Sequence, residues 1–299
     1  MANPSPLRYP GGKYKISRLV ELLIQRSGDN RDVYVEPFAG GAGVAIDLLN
    51  RNIVAEIVIN DSDRAIYSFW KAVVEENDAF LDMIATTPVT IDEWKRQRTI
   101  YQEATKYTLE YGFATFFLNR VNHSGILSAG PIGGVGQDND EYKLDVRFDK
   151  ESLSRKIELI GRLRDRIHVY NRDVLSFINR QLKAFEKRAF VYFDPPYYKK
   201  GKALYKNFFT DKLHLKLHDA ILKLVHCPWI VSYDNVPEIR GIYKELPRRT
   251  FSLCYSLANN GYGKEIMFFK SKKMMPTDEE LNLIGMLKAF SSDRSSVSI

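Results

Sequence analysis

Only two cysteines occur in this chain of 299 residues, Cys227 and Cys254, and neither sits in a C-x-x-C pair or beside a histidine cluster. That excludes a disulfide framework and argues against zinc, so no metal is expected and both thiols are expected to be buried. Long apolar runs are also missing. No stretch approaches the roughly 20 residues that cross a bilayer, and Met1-Ala2-Asn3-Pro4-Ser5-Pro6 lacks the charged and apolar regions of a secretory leader. The expectation is a cytoplasmic protein without a membrane partner. Acid is in short supply relative to base: 37 Asp and Glu against 44 Lys and Arg leave a net charge of +7, which favours an anionic partner. With 44% apolar residues, the chain has enough to build one large core plus an insertion.

What is present begins with Asp194-Pro195-Pro196-Tyr197, directly after the apolar run Phe190-Val191-Tyr192-Phe193. The run reads as a buried strand, and two successive prolines cannot continue it because neither donates to a ladder. A carboxylate at the carboxyl end of a strand lies where open α/β sheets form their ligand crevices. Asp194 and the Pro195 carbonyl then offer two convergent acceptors, which suit an amine with two hydrogens, and Tyr197 offers a face for a planar ring. The competing reading is a proline-stiffened turn with no ligand.

A second pattern, Val33-Tyr34-Val35-Glu36-Pro37-Phe38-Ala39-Gly40-Gly41-Ala42-Gly43-Val44-Ala45-Ile46, predicts a strand, a glycine loop and a helix starting near Gly43. Ile46 occupies the third glycine position of a dinucleotide fingerprint, and Glu36 would repel a pyrophosphate. NAD and ATP are therefore disfavoured. An acid beside an open loop suits a cation, and S-adenosylmethionine carries a sulfonium and an ammonium but no phosphate. The next predicted strand, Glu56-Ile57-Val58-Ile59, ends at Asn60-Asp61, where Asp61 is placed either to accept from ribose hydroxyls or to cap the helix that follows.

Taken in order, Tyr9-Pro10-Gly11-Gly12-Lys13, Val35 to Gly43, Phe116-Phe117-Leu118-Asn119-Arg120 and Asp194 to Tyr197 resemble the Dam-type DNA adenine-N6 methyltransferases of bacteria and phages, over roughly residues 6 to 270. The resemblance implies an α/β, Rossmann-like S-adenosylmethionine-dependent methyltransferase sheet with a mostly helical target-recognition insertion. It implies cofactor contacts from Tyr9 and Lys13, ribose contact from Asp61, and adenine contact from Asp194, Pro195, Pro196 and Tyr197. Read from the residues alone, Pro10 to Lys13 is only a turn with a solvated lysine. Tyr9, Lys13 and Asp61, together with Glu36, Phe38, Gly40, Gly43, Asp173 and Asp194, form the expected cofactor set. Family members that read GATC carry an arginine three residues after the glycine matching Gly125. Ser128 stands there and cannot make arginine's bidentate guanine contact, which leaves the recognition sequence unassigned.

The expected organisation is a catalytic domain over 1–63 and 151–272, the insertion over 64–150, and a C-terminal helix with a flexible tail over 273–299. Within the insertion, helix is predicted from Arg64, including an amphipathic stretch from Ile91 through Tyr111, and then through Leu118. Arg120, Asn122, His123, Ser124 and Ser128 follow as candidate base-reading residues in a glycine-rich loop, with helix capping by Asn119 and Arg120 as the plainer reading. Asp173 closes the strand Ile167 to Tyr170, as a cofactor acceptor or a cap for a helix spanning Val174 to Phe185. Lys199, Lys200 and Lys202 form a basic stretch suited to DNA phosphates, or simply a solvated loop. A capping box is expected at Thr277 and Glu280.

The predicted chemistry is direct methyl transfer to the amino group of a flipped adenine in double-stranded DNA by a monomer or weak dimer, compatible with a cognate restriction nuclease or defence partner. Cytosine N4, RNA adenine and protein amides are alternative acceptors, and a non-catalytic DNA-binding relative is an alternative role.

Overall fold

The computed structural model describes residues 3–9, 13–28, 30–137, 142–198, 209–254 and 262–290. In chain order they form α1 (Ser17–Arg26), β1 (Val33–Glu36), α2 (Gly43–Asn50), β2 (Glu56–Asn60), α3 (Arg64–Glu75), α4 (Asn77–Thr86), α5 (Ile91–Glu103) and α6 (Leu109–Val121). There follow α7 (Lys150–Arg162), β3 (Ile167–Tyr170), α8 (Val174–Asn179), α9 (Leu182–Phe185), β4 (Ala189–Phe193), α10 (Asp211–Leu224), β5 (Trp229–Asp234), α11 (Pro237–Ile242), β6 (Arg248–Cys254), β7 (Tyr262–Phe269) and α12 (Asp278–Leu283). The elements make a mixed α/β arrangement in which parallel strands alternate with helices. The chain divides into two compact units, 1–14 with 39–173 and 15–38 with 174–299.

In the second unit, β1, β4 and β5 run parallel, with Val35 opposite Val191 and Phe193 opposite Val231. All five residues of β4 are buried, as expected of a parallel strand covered on both faces. β7 then pairs antiparallel with β5 and with β6, closing the run with a hairpin. The strand ends at Phe193, so Asp194 is the first residue beyond the ladder. The expected capping box is present: Thr277 accepts from the Glu280 amide and the Glu280 carboxylate accepts from the Thr277 amide. The expected helix from Val174 to Phe185 is instead two short helices that break after Asn179. Cys227 is buried, and burial pushes its thiol up to about 12, which leaves it protonated and unreactive.

In the first unit, β2 and β3 pair in parallel, with Ile57 opposite Ile167 and Asn60 opposite Tyr170. Between them the chain is helical. α3 packs on α6, and Phe69, Phe80, Phe113, Phe116 and Phe148 form one buried ring cluster with centroid separations of 5.4 to 6.1 Å. The amphipathic stretch expected from Ile91 through Tyr111 is interrupted: α5 stops at Glu103, and α6 starts afresh after Thr108, whose hydroxyl accepts from the Tyr111 amide at 3.1 Å.

Candidate functional site

The glycine loop of the first unit is built against the N-terminal segment. β2 fixes one end, because the Asn60 carbonyl accepts from the Ala39 amide at 2.9 Å. Gly40 and Ala42 both take left-handed backbone angles, φ 45° and 43°, and α2 starts at Gly43 as the sequence predicts. The Tyr9 ring lies so close to Gly40 that a Cβ there would meet it at 2.6 Å, so only glycine fits. Gly43 faces Asn3 and Tyr14, and the Trp70 indole donates to the Gly40 carbonyl at 2.9 Å. Lys13 is buried. Tyr9 and Gly40, distant in the chain, therefore belong to one cradle, and Gly43 lies against the same N-terminal segment.

Asp61 joins the same cradle. Its Oδ2 accepts from the Gly40 amide at 2.9 Å and its Oδ1 from the Asp63 amide at 2.9 Å. The cap of α3 is Asp63, which accepts from the Ala65 amide at 2.8 Å, so Asp61 is not the helix cap. Burial raises the Asp61 carboxyl to about 7, against the lowering effect of its two amide donors. Asp173 stands exposed beyond β3.

Residues of the loop after α6 divide into scaffold and surface. Asn119 takes the Arg8 amide on Oδ1 at 2.7 Å and donates to the Arg8 and Gly125 carbonyls, each at 2.9 Å, so it clamps the N-terminal segment rather than capping α6. Asn122 is fully buried: it accepts from the Trp94 indole at 2.7 Å and donates to the Ile126 and Leu127 carbonyls. The Arg120 guanidinium donates to the carbonyls of Arg147 and Pro6, and burial followed by the charges of Arg8 and Arg147 brings its pKa down to about 10. His123 and Ser124 line a cleft of about 380 Å³ with Arg8, Gly133, Tyr142 and Arg147. Ser128 is exposed.

In the second unit, Asp194 emerges from β4 beside the end of β5. Ser232 Oγ donates to Asp194 Oδ1 at 2.8 Å, and the Tyr192 hydroxyl in turn donates to Ser232 Oγ at 2.7 Å. Ser232 and Tyr192 are buried, whereas Asp194, Pro196 and Tyr197 are half-buried and Pro195 is buried. The Tyr197 hydroxyl donates to Glu265 Oε1 on β7 at 2.8 Å, and the Tyr198 amide donates to Asp234 Oδ1 at 2.8 Å. Glu36, buried at the end of β1, accepts from the Tyr34 hydroxyl at 3.0 Å; burial and that carboxylate hold the Tyr34 phenol well above its ordinary range. Phe38 meets the edge of Phe209, ring centroids 6.0 Å apart. Lys199, Lys200 and Lys202, with Pro10, Gly11, Gly12 and the expected C-terminal tail from Ser291, lie outside the described residues. Sequence reasoning missed Ser232, Asp234 and Glu265, whose signal was polarity within the mostly apolar β5 and directly before the apolar run Ile266 to Phe269 of β7.

Residues 9–257 match the family described as D12 class N6 adenine-specific DNA methyltransferase. The chain is 23% identical over 284 residues to the type II methyltransferase M.MjaIII of Methanocaldococcus jannaschii, spanning 90% of each protein. Among solved structures it is similar to the rRNA methyltransferase AviRa from Streptomyces viridochromogenes, with 13% identity, a TM-score of 0.41, and 89% and 88% of the two chains covered. It is also similar to protein LPL1258 of Legionella pneumophila, with 14% identity, a TM-score of 0.34, and 97% and 95% covered.

Proposed function

Given that the chain belongs to the D12 class of N6 adenine-specific DNA methyltransferases, we propose that it methylates the N6 amine of an extruded adenine in double-stranded DNA, using S-adenosylmethionine. The observation that carries this reading is the Asp194-Pro195-Pro196-Tyr197 element, which leaves the sheet immediately after β4 with its carboxylate oriented by Ser232.

The residues present suit that methyl donor. The loop from Glu36 to Gly43 contains an acid and no base, and Asp61 adds a second acid on its glycine cradle, a donor set that disfavours phosphate and accepts ribose hydroxyls and cationic groups. Tyr9, Lys13, Glu36, Phe38, Gly40, Gly43, Asp61, Asp173 and Asp194 are the residues assigned to hold it. When bound, S-adenosylmethionine supplies a methyl group on a sulfonium, already a good leaving group.

The chain's own task is to orient the amine and exclude water. Asp194 and the Pro195 carbonyl accept the two N6 hydrogens, which turns the nitrogen lone pair out of conjugation with the ring. Tyr197 stacks on the base. As N6 gains positive charge, the Asp194 carboxylate stabilises it, and the surplus proton leaves to solvent. Residues 64–150 are assigned to target recognition, with His123, Ser124 and Ser128 on the accessible side of the loop, Arg120 and Asn122 shaping it, and Lys199, Lys200 and Lys202 contacting phosphates.

The test is incubation with radiolabelled S-adenosylmethionine and unmethylated plasmid DNA, followed by digestion to nucleosides. Label in N6-methyladenine is expected, falling at least a hundredfold in Asp194→Ala. Label confined to N4-methylcytosine, or undiminished transfer by Asp194→Ala, overturns the reading.

A further inference from the structure

We infer that Glu265 is a positioning residue for the reaction: its carboxylate fixes the ring of Tyr197 in the orientation that stacks on the target adenine. This rests on the reading of Asp194 to Tyr197 as the acceptor element.

β7 from Ile266 to Phe269 is wholly apolar and fully buried, so the packing of the strand has no use for a carboxylate next to it. Glu265 nevertheless stands there at 2% exposure. Register makes the choice more costly. Glu265 lies directly opposite Asp234 on β5, and like charges opposed across a ladder destabilise it. A buried carboxylate persists where donors compensate it, and a donor is present in the Tyr197 hydroxyl at 2.8 Å.

What the two acids have in common is the segment they hold. Asp234 accepts from the backbone of Tyr198 and Glu265 from the side chain of Tyr197, while Ser232, two residues before Asp234 on the same strand, donates to Asp194. Three side chains of the β5 and β7 pair thus grip three residues of a five-residue stretch. The prolines already stiffen its backbone. The remaining freedom that matters is the swing of the half-buried Tyr197 side chain about χ1, and pinning the hydroxyl at its far end removes it. A phenol that donates to a carboxylate also has a more electron-rich ring, which favours the positive charge developing on the amine it faces.

The experiment is steady-state methylation of unmethylated plasmid DNA by full-length Glu265→Ala, Glu265→Gln, Tyr197→Phe and the double variant Glu265→Ala/Tyr197→Phe. Glu265→Ala and Tyr197→Phe are each expected to lower kcat tenfold or more, with the KM for S-adenosylmethionine within twofold of wild type. Because both remove the same contact, the double variant should be no worse than the poorer single one. Glu265→Gln, whose amide oxygen still accepts, should recover to within threefold of wild type. If Glu265→Ala does not fold, Glu265→Met, which fills similar volume without an acceptor, replaces it in the cycle. Wild-type kcat in the Glu265 variant, or effects that multiply in the double variant, overturns this inference while leaving the function intact. An inactive wild type overturns both.

Discussion

Asp61 is the residue whose charge state should be felt most directly in ligand binding. Its carboxyl is raised from 3.8 to about 7 because burial outweighs the Gly40 and Asp63 amides that favour the anion. The sign follows. A carboxyl raised in the folded state keeps its proton below about pH 7, so the folded protein gains most at acid pH and loses that contribution as pH rises from about 4 through about 7. Ribose hydroxyls need an acceptor, so binding has the opposite slope. If only the ionised form binds, affinity for S-adenosylhomocysteine should rise about tenfold from pH 6 to pH 8, and Asp61→Asn should flatten the profile. Calorimetric titration across that range checks it, and a pH-independent wild type would sink the ribose assignment. Sequence offered both a ribose acceptor and a helix cap here. The cap reading falls because Asp63 is the cap, while Asp61 is held by the Gly40 amide 21 residues earlier, a contact that the local sequence does not carry. Tyr9 illustrates the converse: it follows no strand or fingerprint, and its place against Gly40 is a tertiary fact that spacing does not carry.

Among the elements, α6 packs on α3 through a glycine that meets backbone. A Cβ on Gly112 would meet the Ser68 carbonyl oxygen at 2.5 Å and the Ala72 Cβ at 2.8 Å, so α3 and α6 approach through a gap that only glycine leaves. An alanine normally favours a helix by about 1 kcal/mol over glycine, but the clash is with backbone, which cannot swing aside. Gly112→Ala should therefore destabilise the protein by about 1–3 kcal/mol, seen as a lower urea midpoint with an unchanged slope. An unchanged or higher midpoint would mean that the helices part without cost. Element types were legible where periodicity was strong: the β4 run and its termination at Asp194, the start of α2 at Gly43, and the Thr277 capping box. The break between α5 and α6 was not, since the apolar pattern continues through it and Thr108 is a cap only because its hydroxyl is used that way. The same applies to the break between α8 and α9 after Asn179.

At the scale of the whole molecule, the family motifs run through most of the chain, but the way the chain partitions does not follow them: residues 1–14 join 39–173, held by contacts such as Asn119 to Arg8 across 111 positions. Such pairings have no local signature. Net charge does, and its +7 supports an ionic-strength prediction. Part of that charge is concentrated, because Arg8 and Arg147 line one cleft and lie near enough to Arg120 to lower its pKa. If Lys199, Lys200 and Lys202 add phosphate contacts, about five phosphates neutralised in all would give a slope near −4.5 for log affinity against log salt, a loss of roughly 500-fold between 50 and 200 mM. Fluorescence anisotropy with a labelled duplex measures that slope. Replacing the three lysines by alanine should make it shallower by up to about 2.7, while the KM for S-adenosylmethionine stays within about twofold, because the methyl donor does not depend on released counterions. A slope unchanged by the triple replacement would remove those lysines from the DNA contact and leave the electrostatic attraction to the cleft and the rest of the basic surface.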